Sequence, residues 1–447
     1  MQQFSEKQAF LDTVCKNVRW KQAHEVISRD LSDHIDDQTA AFVAQGVPAE
    51  EACARAVAEM GDPVAAGLAL DASYRPNRQT DMLCILGALV MVGLFCRLLL
   101  YDMSALEWMK FLAALLIGSG CFFALFRLNL YRLTKWAGPV YIAAIALTVI
   151  GRLAIRFDFS PDTNYLRYFF VFIPALFAGA AYSMRGKGIW GLIIIGASLA
   201  VPLLVLVTFP DFSQIALLTI TCLMVIAVAS FYGVFGKHKW LPVIISLAAV
   251  IAALGIGILS YPYSLQRFEM RLHPELYAES EGWMAMQIRE LLACARPIGR
   301  GIETAAAQRW GLTPGQNISL DMCNDFLLTV VTYRFGWLPA LLLTLLLFVF
   351  IGFGLYRALK LKSIFGKLIA VAVIGTFTMQ SIAYLTANLG FILGAALPLP
   401  FIAYGSISLI VDLALSGLLV SLFYTDGLYA DRSADRAKRL RIKLVWE

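Results

Sequence analysis

MLCILGALVMVGLFCRLLLY, residues 82–101, is a run of twenty positions with a single charge, Arg97. Wound as an α-helix it is about 30 Å long, the thickness of a bilayer's hydrocarbon core. It reads as a membrane span, and similar runs recur along the rest of the chain. The composition agrees: of 447 residues, 59% are hydrophobic and 15% charged, with a mean hydropathy of +0.71. No ordinary soluble domain has that balance.

Upstream of this run the chain is polar. Residues 1–80 carry 8 Lys and Arg against 12 Asp and Glu, a net of −4; the whole chain is +6, so the remainder carries +10. No cleavable signal is read here, and the first span is expected to serve as its own insertion signal. Over 23–45, Val26, Ile27, Leu31, Ile35, Ala40 and Phe42 recur at helical spacing, with Arg29, Asp30, Asp33, Asp36 and Asp37 on the polar face. Gly46 reads as the stop and Pro48 with Glu50 and Glu51 as the next start, closed near Gly61. Asp62-Pro63 is a cap followed by a first-turn proline. The expectation is a small cytoplasmic helical bundle over 1–78, too acidic to bind nucleic acid.

Downstream, the apolar runs predict about ten transmembrane helices, near 82–101, 105–126, 136–155, 165–184, 189–208, 214–235, 240–260, 326–357, 365–390 and 399–424. The eighth is too long for one crossing. Gly336-Trp337-Leu338-Pro339 is expected to divide it into a short helical lead-in beginning at Asp325 and the span proper. Basic residues fall on alternate short connections: Arg127, Arg132 and Lys135; Arg185 and Lys187; Lys237 and Lys239; Arg357, Lys360 and Lys362. By the positive-inside rule both termini are cytoplasmic. The 79–428 transmembrane domain is then followed by a basic cytoplasmic tail, 429–447, and the long loop 260–325 lies outside.

That placement makes the outer-side cations informative, because nearly all are arginine. Arg97, Arg152, Arg156 and Arg167 lie near outer helix ends, and Arg267, Arg271, Arg289, Arg296, Arg300 and Arg309 lie in the loop. Arginine's planar fork suits phosphate, and a charge inside a span usually faces a cavity or a partner, which singles out Arg97 and Arg152. The competing reading is ordinary surface pairing, since 260–325 also holds 8 acids.

The eight cysteines show no paired spacing and the four histidines are dispersed, so no metal site is read. Cys294 and Cys323 share the outer loop and are candidates for a disulfide. No phosphate-binding glycine loop and no zinc-protease motif occurs.

Three carboxylates stand out. In CNDFLLTVV, 323–331, Asp325 ends a polar loop and opens an apolar helix, either as an N-cap or as a reactive group. Asp211 with Gln214 has capping-box spacing before the sixth helix. Asp412, four residues after Ser408, lies deep in the last span. A carboxylate there is paired, hydrogen-bonded or functional, with Gln380 or Arg97 as candidate partners.

The order of features resembles the SEDS family of RodA- and FtsW-type bacterial membrane proteins. VPLLVLVTFPDFS, 201–213, is similar to the family's Pro-Asp element. Tyr263, Arg267 and Pro274, then Gly282 to Gln287 and Pro297-Ile298-Gly299-Arg300-Gly301, follow its outer loop. Asn324-Asp325-Phe326 sits where the family carries Thr-Asp-Phe, with Gly336 ten residues on. Gln380, Leu397-Pro398-Leu399-Pro400-Phe401 and Tyr404-Gly405-Ser406-Ile407-Ser408 match the last two helices. Cys323 replaces the family histidine, and Tyr333-Arg334 its acidic pair. Tyr384 stands for the asparagine after Gln380, Leu393 for a proline, and Ser160-Pro161-Asp162-Thr163 for a Gln-Pro-Ser-Glu element.

The resemblance implies an all-α integral membrane glycosyltransferase that polymerises lipid II into glycan strands at the outer face of the bacterial cytoplasmic membrane, for shape, division or sporulation. Its implied partner is a single-pass class B penicillin-binding transpeptidase. Asp325 is carried over as the catalytic residue. Arg97, Arg152, Asp211, Arg267, Gln380, Tyr404, Ser408 and Asp412 are the candidate substrate-binding residues. No cofactor is named, and a divalent cation stays open. A catalytically silent scaffold for a transpeptidase and a flippase of a polyprenyl-linked sugar are the alternatives.

Overall fold

The computed structural model describes residues 2–74, 79–100, 104–156, 168–207, 212–236, 240–260, 269–280, 282–313, 320–392, 394, 397–403 and 405–426. Its described residues form two compact units, 1–78 with 424–447, and 79–423.

The first unit contains α1 (Gln2–Lys16), α2 (His24–Ala44), α3 (Ala49–Glu59) and α4 (Pro63–Ser73). Phe10, Leu11, Val14, Val18, Ala23, Ile27 and Ile35 make its core. The helix boundaries follow local chemistry. Gly46 and Gly61 take φ of 91° and 76° after α2 and α3, and Asp62 accepts the Val64 and Ala65 amides at 3.1 Å. Helix α1 was not anticipated from the sequence. It is tied to α4 by Asp71, which accepts the Arg19 backbone N–H at 2.8 Å and its Nε at 2.9 Å.

The second unit is all-helical and membrane-spanning: α5 (Thr80–Leu100), α6 (Ala105–Arg127), α7 (Ala137–Arg156), α8 (Ile173–Ser183), α9 (Gly188–Val207), α10 (Phe212–Phe231), α11 (Leu241–Ser260), α12 (Trp283–Ala293), α13 (Ala305–Arg309), α14 (Leu320–Phe335), α15 (Trp337–Lys360), α16 (Ile364–Asn388) and α17 (Ser406–Thr425). Eight described segments are long and apolar enough to cross a bilayer, and two shorter apolar ones, Tyr168–Ser183 and Leu241–Ala252, bring the set to the ten expected. Helices α16 and α17 bury 72% and 78% of their span windows against 22% for α6, so they form the centre while α6 faces lipid. Close approach fixes α6 on α17: a Cβ at Gly417 would stand 2.5 Å from Phe122 O, and one at Gly118 2.8 Å from Leu413 Cδ1.

The long eighth segment is divided at Gly336, whose φ of 100° separates α14 from α15. The lead-in differs from expectation in its start. Helix α14 begins at Leu320 rather than Asp325, and breaks at Phe326 (φ −130°, ψ 33°). The long loop before α14 is partly helical, through α12 and α13, and Cys294, a candidate for a disulfide, is a free thiol.

Candidate functional site

Asp325 sits on α14 immediately before the break at Phe326 and is exposed, whereas Phe326 to Tyr333 are buried. The carboxylate is thus presented at the edge of an otherwise apolar wall. Phe326 packs against Trp310 of the preceding loop, with ring centroids 5.9 Å apart.

The break exposes backbone amides at the start of the helix segment that follows it. The Thr329 amide at this start is capped from another helix, by Asn388 at the end of α16. Asn388 Oδ1 accepts the Thr329 N–H at 3.0 Å, and Asn388 Nδ2 donates to Asp325 O at 3.1 Å and to Tyr384 O at 2.9 Å. The Thr329 hydroxyl lies 3.0 Å from Asn388 O and 3.1 Å from Oδ1. One turn earlier on α16, the Tyr384 hydroxyl is buried and has no hydrogen-bond partner among the described residues.

Asn388 is not singled out by the sequence, in which Tyr384 stands for the family's asparagine after Gln380. An amide is present one turn further on. The i, i+4 row of Gln380, Tyr384 and Asn388, polar groups in a span, was the available signal. Gln380 is buried, and its Oε1 has no hydrogen-bond partner among the described residues.

The loop that carries α12 and α13 is clamped onto the α14–α15 break. Gly299 N–H donates to Phe335 O at 2.9 Å and Gly301 N–H to Tyr333 O at 2.8 Å, while Trp337 and Leu338 N–H donate back to Arg296 O and Pro297 O at 3.0 Å. The Tyr333 hydroxyl donates to Ile302 O at 2.9 Å, and Arg300 Nη2 donates to Leu312 O. Tyr333, which stands in the expected acidic pair, therefore holds the loop.

A second polar assembly surrounds the connection before α17. Phe401 alone among the described non-glycine residues has positive φ, 65°. Its N–H donates to Asp412 Oδ2 at 3.0 Å, and Ser408 Oγ donates to the same oxygen at 3.3 Å. Arg97, buried in α5, donates from Nη2 to Ala403 O at 2.8 Å and lies 4.1 Å over the Phe111 ring. Phe401 packs on Phe350 and Phe377, each centroid at 5.3 Å. The expected partners of Asp412 are thereby corrected. Its described contacts are Phe401 and Ser408, and no ion pair joins it to Arg97 among the described residues.

Of the remaining candidates, Arg152 is half-buried on α7. Asp211, Arg267 and Tyr404 lie outside the described residues. Among those described, no group of three His, Cys, Asp or Glu side chains could hold a metal ion.

The family model for FtsW, RodA and SpoVE, described as cell cycle protein, matches residues 77–426. The chain is 29% identical over 177 residues to a putative peptidoglycan glycosyltransferase FtsW of Mesostigma viride, covering 40% of each chain. It spans less than half the length of the first such curated relatives it matches. Among solved structures, a chain from a study of structural coordination of polymerization and crosslinking by a peptidoglycan synthase complex aligns with a TM-score of 0.60 at 18% identity. That alignment covers 78% of this chain and 98% of the other. The rod shape determining protein RodA of Thermus thermophilus aligns with a TM-score of 0.53 at 16% identity, covering 77% and 96%. These last two likenesses establish the fold.

Proposed function

The chain belongs to the FtsW, RodA and SpoVE family of cell cycle proteins, and from that premise we propose that it is a peptidoglycan glycosyltransferase that polymerises lipid II. The observation that carries this reading is an exposed carboxylate, Asp325, presented at a helix break beside a run of buried, mostly apolar residues. Such a carboxylate accepts the proton of an attacking sugar hydroxyl. A bond forms between that oxygen and the donor sugar's anomeric carbon as the carbon's bond to phosphate oxygen breaks, and the polyprenyl pyrophosphate leaves with the electron pair. Outer-side arginines stabilise the developing charge on the pyrophosphate. The Arg97 guanidinium is engaged with Ala403 O and the Phe111 face.

In this reading Asp325, the 260–325 loop and the outer ends of the spans face away from the bacterial cytoplasm, with both termini and the 1–78 bundle inside. A single-pass transpeptidase, which would crosslink the strands that the polymerase makes, is the partner in this reading. The scaffold alternative draws on Tyr333, which in place of an acidic residue is occupied with Ile302 O.

The test is polymerisation of labelled lipid II by purified protein, alone and with a class B transpeptidase. Glycan strands from the native chain that disappear in a folded Asp325→Ala variant are the expected outcome. Strands made equally by both would remove Asp325 from the chemistry, and none under any partner condition would favour the scaffold.

A further inference from the structure

Asn388 uses both ends of its amide at the one point where α14 breaks. The assignment of its oxygen and nitrogen follows from its neighbours, because Oδ1 faces the Thr329 N–H at 3.0 Å while Nδ2 faces two carbonyls, Asp325 O at 3.1 Å and Tyr384 O at 2.9 Å. Turning the amide over would set donor against donor and oxygen against oxygen. The residue is 1% exposed, so each of these groups lacks water as a substitute.

The two sides of the break are therefore held by one side chain. The carbonyl of Asp325 marks the end of the first segment, and the amide of Thr329 is among the unfilled donors of the second. A helix interrupted at Phe326 has a soft joint there, and its two segments can reorient unless something fixes both. Asn388 is itself fixed. It closes α16 through its bond to Tyr384 O, and the next turn is packed from the outer loop. A Cβ at Gly390 would stand 2.7 Å from Arg289 Cγ, and the Arg289 guanidinium lies 5.0 Å from the Phe391 ring.

We propose that Asn388 is a positioning residue for the reaction, tethering Asp325 through its backbone carbonyl and capping the helix behind it so that the carboxylate is held in one orientation. Asn388 touches no substrate and acts only through Asp325. This assignment rests on the glycosyltransferase reading above, and it extends that reading to a residue 63 positions away in the chain.

The experiment compares the native protein with Asn388→Asp, Asn388→Leu, Thr329→Val and Thr329→Ser, each as the full chain in detergent. Asn388→Asp keeps the acceptor for Thr329 and loses both donors. It is expected to lower the turnover number about 10-fold or more with KM for lipid II within about 2-fold, because orientation is lost while binding is retained. Thr329→Ser retains activity and Thr329→Val does not.

Hydrogen exchange of residues 326–332 provides a readout independent of activity. Asn388→Leu is expected to lose protection there with the rest of α16 unchanged. If exchange is unchanged in Asn388→Leu, or if Asn388→Asp raises KM and leaves the turnover number in place, the positioning role is refuted. If the native chain makes no glycan under any partner condition while exchange responds as stated, the tether stands and the glycosyltransferase reading fails.

Discussion

Phe401 is held in a conformation that a bulky side chain avoids, since φ near 65° brings Cβ against the neighbouring backbone. Three groups maintain it: the Asp412 carboxylate on its amide, Arg97 on Ala403 O, and the Phe350 and Phe377 rings. Of these, Asp412 is the one whose removal leaves a buried donor without a partner. Asp412→Leu is expected to cost about 1–3 kcal/mol, the penalty of an unsatisfied buried amide. Asp412→Asn keeps an acceptor oxygen and should stay within about 1 kcal/mol of the native chain. Thermal unfolding in detergent separates the two variants, and equal losses would show that the carboxylate's charge rather than its hydrogen bond supports Phe401. The residue-level reading of Asp412 as hydrogen-bonded came from its place in a span, but Phe401 as its partner was not legible. A strained backbone leaves no mark in composition or spacing, and the donor is an amide that every residue carries.

Among the elements, the α14–α15 break depends on Gly336. Its φ of 100° with ψ of 174° belongs to a region essentially reserved for glycine, and an added Cβ would stand 2.6 Å from Pro297 O and 2.7 Å from Ile298 Cα. Those are backbone atoms already fixed by the loop's hydrogen bonds to Phe335 and from Leu338, so neither can step aside. Gly336→Ala is expected to cost about 1–3 kcal/mol from overpacking, with the backbone strain added to that. Gly352→Ala, on the exposed side of α15 with nothing within 4 Å, should be neutral or slightly stabilising. Comparison of the two melting temperatures checks the pair; similar shifts would mean that the break is not set by Gly336. The break itself was readable, since Gly-Trp-Leu-Pro inside an apolar run too long for one crossing has few other meanings. The start of α14 at Leu320 was not, because its first turn lies in a polar segment without apolar periodicity. The cap on Thr329 escaped for a different reason: it arrives from another helix, and capping rules describe neighbours in sequence.

For the molecule as a whole, the number and order of spans followed from hydropathy because the bilayer permits only backbone that satisfies itself. The 1–78 segment was legible where its signals are local, as at Asp62, Gly46 and Gly61, and less so at α1, whose buried Phe10, Leu11 and Val14 are spread among charged and polar residues. Each unit has its own core, one built on Val14, Ile27 and Ile35 and the other on the central α16 and α17. Units with separate cores open separately in hydrogen exchange. Asp71 is the place to test this, because its carboxylate is mostly buried while Arg19, its partner, has a side chain 84% exposed. The exposed guanidinium is well solvated, so the ion pair itself adds little; the larger loss on removing Asp71 is the acceptor of the Arg19 backbone N–H, which joins α1 to α4. Asp71→Ala is therefore expected to speed exchange throughout residues 2–74 by about 10-fold, while residues 79–423 exchange at native rates. Faster exchange in α16 or α17 of that variant would show that the two cores unfold as one.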